Sequence, residues 1–130
     1  MPIRNRPPTR FDRMTTRRVI PENITEAQFQ TAILDLARWL GWRTFHPRTI
    51  KSFTGHHLTA YQGERGFVDL VLAHPQRGVI FAELKSKTGR LSIHQELWRE
   101  VLERAGAEYH LWRPQDWHNI EKRLKGKTPT

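Results

Sequence analysis

The chain has 130 residues, 37% of them apolar, and carries 22 Lys and Arg against 13 Asp and Glu, a formal net charge of +9. That length accommodates one domain with its own core but not two, and the lack of Cys excludes disulfides, thiolate metal sites and a cysteine nucleophile. The charge excess points first to a phosphate polymer, since cationic side chains release condensed counterions on docking to nucleic acid; a merely solvated basic surface is the plain alternative.

No stretch has the apolar length of a signal peptide or a membrane span, so a cytoplasmic protein without membrane contact is expected. Residues 1–22 hold Arg4, Arg6, Arg10, Arg13, Arg17 and Arg18 broken by Pro2, Pro7, Pro8 and Pro21. They read as a basic, flexible N-terminal tail. The folded domain is expected over residues 23–125, and residues 126–130 form a polar end.

A first helix is expected from Thr25, where Thr25 and Gln28 fit a capping box and Glu26 suits the positive end of the helix dipole. Phe29, Ile33, Leu36, Ala37 and Leu40 recur at helical spacing, and Gly41 stops the run. Residues 42–46 suggest a short strand. Residues 47–66 turn polar and contain His56 and His57, best taken as loop histidines because no ligand spacing supports zinc. Two strands follow over 67–73 and 79–85, with a turn between them. Their nearly continuous apolar runs suit strands covered on both faces.

A second long helix starts at Ser92, with Gln95 completing another capping box. Ile93, Leu97, Val101 and Ala105 repeat along it, with Trp98 and Leu102 beside them. Tyr109, Leu111 and Trp112 indicate a strand, and residues 114–124 a last helix carrying Trp117, Ile120 and Leu124 on one side. The order α-β-β-β-α-β-α predicts an α/β fold: a small mixed β-sheet flanked by helices, its β–α–β unit joining parallel strands.

The stretch G66-F-V-D69 followed by E83-L-K85 is the chemical centre of this pattern. Side chains alternate along a strand, so Glu83 and Lys85 share a face, and a hairpin can bring Asp69 beside them. Two carboxylates and an ammonium suit metal-dependent phosphodiester cleavage. Hard cations such as Mg²⁺ take oxygen ligands, here Asp69, Glu83 and the backbone carbonyl of Leu84, while Lys85 holds the attacking water and offsets phosphate charge. Glu26 can receive a water of the metal shell if the first helix packs near the strands. A salt bridge of Asp69 to Lys85 with no catalytic role is the structural alternative.

The ordered series E26xxxQ30, GW at 41–42, H46, G66-F-V-D69, E83-L-K85, L91-S-x-x-Q95 and W112-R-P-x-D-W117 resembles the stand-alone VRR-NUC nucleases of the PD-(D/E)xK superfamily, many of them from bacteriophages. The resemblance covers about residues 24–124 and implies a restriction-endonuclease-like core. It also implies Mg²⁺- or Mn²⁺-dependent cleavage of DNA, with a preference for branched substrates like that of Holliday-junction resolvases, and a homodimer needing no nucleotide cofactor. If phage-encoded, the protein would work inside the host cell. Carried over by position, Asp69 and Glu83 bind metal, Lys85 is the catalytic lysine, Glu26 the helix acid and Gln95 the polar residue near metal or scissile phosphate. Gln30 and His46 match without a defined role. Val68 stands where the family usually has Pro. Arg48, Lys51, Arg65, Lys87 and Arg90 are the candidate DNA-contacting cations. A non-catalytic DNA-binding module on the same fold is the alternative; a sequence-specific restriction enzyme is disfavoured, because so short a chain leaves little room for a base-reading domain.

Overall fold

In the computed structural model the described residues are 20–47, 49–51, 57–59 and 62–126, with no side-chain description for 49–51 and 57–59. The basic tail up to residue 19, Arg48, His56 and the last four residues lie outside them, as does the side chain of Lys51. The described elements are α1 (Glu26–Trp39), β1 (Arg43–Phe45), β2 (Thr49–Lys51), β3 (His57–Thr59), β4 (Leu70–His74), β5 (Gly78–Leu84), α2 (Ile93–Arg104), β6 (Tyr109–Trp112), a 3-10 turn (Pro114–Asp116) and α3 (Trp117–Lys125). They make a mixed α/β domain around a four-stranded sheet in the order β1-β4-β5-β6, in which β6 runs parallel to β5 and the other pairs are antiparallel. No described helix is long and apolar enough to cross a membrane.

One difference from expectation lies between β1 and β4. Where the polar composition suggests an unstructured connection, β2 and β3 pair as a separate antiparallel ribbon, Thr49 opposite Thr59. Ribbon pairing satisfies backbone groups without demanding a hydrophobic face, which is why the apolar pattern does not announce it.

The strand register sorts side chains into two layers. Leu70 lies opposite Ala82, Leu72 opposite Ile80 and Leu84 opposite Trp112. These residues pack with Phe29, Ile33 and Leu36 of α1 and Ile120 and Leu124 of α3 in one core. Both expected capping boxes form, Thr25 with Gln28 and Ser92 with Gln95. At the other end of α1 the N–H of Gly41 bonds to Arg38 and that of Trp42 to Ala37, at 3.1 and 2.9 Å; the left-handed Gly41 turns the chain so that Trp42 enters the core. The Trp42 indole then donates to the carbonyl of Leu124, tying α1 to the end of α3. Ile20, assigned to the tail by composition, is buried in this same core.

The opposite sheet face carries Val71, Phe81, Glu83 and Tyr109, and α2 covers it. Trp98 packs edge-on against Phe67, which in turn meets Phe81, and the Arg99 guanidinium sits over the Tyr109 ring. The helix therefore docks through Gln95, Trp98, Arg99 and Leu102. Its regular stripe of Ile93, Leu97 and Val101 points outward instead, 66%, 53% and 61% exposed. A four-residue repeat identifies an apolar face but not whether that face meets the sheet; here the side with aromatic and polar partners does.

Candidate active site

Register places the two acids together. Leu70 pairs with Ala82, so continuing the ladder by one residue sets Asp69 opposite Glu83 at the end of the hairpin. Carboxylates directly across a strand pair repel, and this pair sits where solvent offers little relief, with Glu83 only 2% exposed. Burial, reinforced by the charge of Asp69, pushes the Glu83 carboxyl up to about 9, against a smaller lowering by Lys85. A proton is thus held at the pair near neutral pH.

Each member is held by a different element. Asp69 Oδ2 accepts from the Leu84 N–H at 2.8 Å. On an extended strand a residue's N–H and C=O address the same neighbour, so the Leu84 carbonyl also faces the Asp69 side. His46, just after β1, sets Nδ1 at 3.0 Å from the Asp69 carbonyl and braces the backbone before β4. Gln95 in the first turn of α2 uses its two amide atoms separately. Its Oε1 caps Ser92, while Nε2 donates to Glu83 Oε1 at 2.9 Å. The cap and the site contact are therefore one side chain. Lys85 Nζ lies 3.8 Å from the same Glu83 oxygen with its side chain 17% exposed, a loose pair that leaves ammonium protons for another acceptor.

Glu26 reaches the cluster from the start of α1, accepting from the Ser86 N–H at 3.0 Å immediately after Lys85. Ser86 is also gripped from behind: Arg113 donates to its carbonyl at 2.8 Å, and Gln115 donates to the next carbonyl, that of Lys87. Arg113, Gln115 and His46 are positioning residues to which the sequence assigned no role. The segment W112-R-P-x-D-W117 held the signal for Arg113, and Asp116 completes it by accepting from the Arg113 N–H. Gln30 lies half-buried one turn beyond Glu26. Of the candidate DNA cations, Lys87 is paired with Glu22, and Arg65 and Arg90 are exposed.

Gly66 is required twice over. Its φ is +86°, and a Cβ there would lie 2.5 Å from the His94 carbonyl carbon and 2.7 Å from the Gln95 nitrogen. Residues 64–66 are thereby pressed against the N-terminus of α2, which sets the reach of Gln95 to Glu83. Gly66→Ala is expected to cost about 1–3 kcal/mol from backbone strain alone, read as a lowered urea midpoint; unchanged stability would show that residue 66 does not need its left-handed conformation.

Could this cluster hold a divalent cation? Among the described residues no group of three or more His, Cys, Asp or Glu converges as a metal-holding set. Mg²⁺ does not require one, since it commonly takes one or two carboxylates and fills its shell with water and substrate oxygens. Glu83 Oε2 is buried without a hydrogen-bond partner among the described residues, beside a second carboxylate. A cation that displaces the held proton gives the orphaned Oε2 a partner and offsets the carboxylate charge that results, so Asp69, Glu83 and the Leu84 carbonyl fit one.

No protein-family model, curated protein or solved structure matches the chain.

Proposed function

We propose that this chain is a Mg²⁺- or Mn²⁺-dependent, structure-selective DNA endonuclease of restriction-endonuclease-like fold, related to the VRR-NUC nucleases and acting as a homodimer on branched DNA such as four-way junctions. The observation that carries it is the convergence of Asp69, Glu83 and Lys85 at one strand end with Glu26 and Gln95 brought in from two helices. A pure DNA-binding surface gains nothing from acids facing phosphate, and the net charge of +9 supplies the attraction that those acids oppose.

Hydrolysis adds water across a P–O bond, so the site must orient the water, offset charge growing on phosphate and keep its own carboxylates ionised. Asp69, Glu83 and the Leu84 carbonyl would hold the cation, which when bound polarises water and neutralises phosphate charge. Lys85 donates hydrogen bonds to the attacking water and to a phosphate oxygen. Gln95 fixes the orientation of Glu83, and the Leu84 N–H that of Asp69. Glu26, held at Ser86, accepts from a water at the edge of the cluster. Two copies, each with one such site, cut the two strands of a symmetric junction.

Labelled four-way junction, flap, single-stranded and duplex DNA, incubated with Mg²⁺, Mn²⁺ or EDTA, test the proposal. Metal-dependent nicking of a branched substrate, abolished by EDTA, is expected. DNA binding without cleavage of any substrate in either metal would establish the non-catalytic module instead.

A further inference from the structure

Beside the carboxylate cluster lies an open apolar pocket of about 340 Å³, lined by Glu64, Arg65, His94, Leu97, Trp98 and Val101. One wall is the outward face of α2; the other is the segment leading to Asp69. The walls meet where Gly66 touches His94 and Gln95, and Gln95 is hydrogen-bonded to Glu83. The pocket is thus joined to the proposed catalytic residues by two direct contacts.

We infer that this pocket receives an unpaired nucleobase of a DNA strand whose phosphate lies at the Asp69–Glu83–Lys85 cluster. The inference rests on the nuclease reading and adds to it a physical basis for preferring DNA in which a base is free to leave the stack. Three features favour a base over other occupants. Trp98 offers a preset aromatic surface, its indole N–H donating to the Glu64 carbonyl at 3.2 Å and its ring braced edge-on by Phe67 at 4.9 Å. Leu97 and Val101 extend that surface while standing 53% and 61% exposed, which costs the free protein apolar contact with water and is relieved by a flat apolar partner. Arg65 lines the same pocket and is exposed, so its guanidinium charge attracts the phosphate that adjoins a base seated there.

Binding of a fluorescein-labelled ten-nucleotide thymidine strand is compared with that of the same-length abasic strand by anisotropy in EDTA, where no cleavage intervenes. Both ligands carry the same phosphates, so their affinity ratio isolates the bases. Base stacking predicts that the wild type favours the thymidine strand roughly 5- to 150-fold. Val101→Glu, at an exposed position that does not threaten the core, brings the ratio close to one. Trp98→Leu, which retains apolar packing against Phe67, does the same. Equal binding of both strands by the wild type would overturn the inference, as would an undiminished ratio in both variants. So would sedimentation showing that Val101→Glu splits a dimer with the ratio intact, since the stripe would then be a self-association face. The cleavage assay separates the two readings: a base preference without cleavage in any metal removes the nuclease alone, and cleavage without a base preference removes the pocket alone.

Discussion

Lys85→Ala is expected to lower metal-dependent cleavage of a four-way junction by about 10²–10³-fold or more, the scale of losing one preorganised donor at a developing charge. In the proposed mechanism the ammonium donates hydrogen bonds to water and phosphate; it also acts on the acid pair, as the one neighbour among those acting on Glu83 that lowers its pKa. Without it the Glu83 carboxyl holds its proton more tightly and binds a cation less well. DNA affinity should change little, because one cation is lost from 22 Lys and Arg. Arginine should not rescue the rate, since a planar guanidinium cannot place a point charge where the flexible ammonium sits. Single-turnover cleavage alongside a gel shift separates rate from binding, and an unchanged rate would exclude Lys85 from the chemistry.

Glu83→Gln is expected to abolish cleavage yet stabilise the metal-free protein at alkaline pH. The sign follows from proton uptake. In the unfolded chain this carboxyl titrates near its ordinary value of 4.5, whereas in the folded protein it is raised to about 9. Between those values the folded state holds a proton that the unfolded state has released, so stability falls as pH rises, by at most about 1.4 kcal/mol per pH unit for one proton. Below pH 4.5 the contribution is fully present; above 9 it is lost. The groups acting on Glu83 are Asp69, Lys85 and Glu26, and the Tyr109 phenol on β6 is itself pushed up to about 12, chiefly by burial and then by the Glu83 charge. Gln cannot ionise, retains an acceptor for Gln95 Nε2 and removes the repulsion with Asp69. Thermal melts in EDTA from pH 5 to 9 should show the variant gaining on the wild type with each unit. Mg²⁺ should then restore the wild type and leave the variant unchanged. Parallel curves for the two proteins would mean that Glu83 is not held protonated by the fold. A gain in stability with loss of activity is the trade expected where function requires like charges in a buried place.

Local chemistry made much of this arrangement legible in advance. Thr25 with Gln28 and Ser92 with Gln95 mark the starts of two helices, because a cap needs only residues three positions apart. The strand alternation that sets Glu83 and Lys85 on the face opposite Leu84 needs only the pleat. Less legible were contacts whose partners are distant in the chain. Ser86 is held by Glu26, 60 residues before it, and by Arg113, 27 residues after it. Neither pairing leaves a periodic trace. The orientation of α2 belongs to the same class, because its apolar stripe and its docking face both repeat at helical spacing.

By itself the sequence determined the three helices, the four strands of the main sheet and the candidate acids, since each follows from backbone geometry and the spacing of apolar residues, while the β2–β3 ribbon left no such trace. Only the tertiary structure decided that Gln95 caps its helix and binds Glu83 at once, that Gly66 is pressed into the start of α2, and that Ile93, Leu97 and Val101 face outward. Those outcomes depend on which surfaces meet when the layers close. Close packing settles that choice among faces that local pattern leaves equivalent.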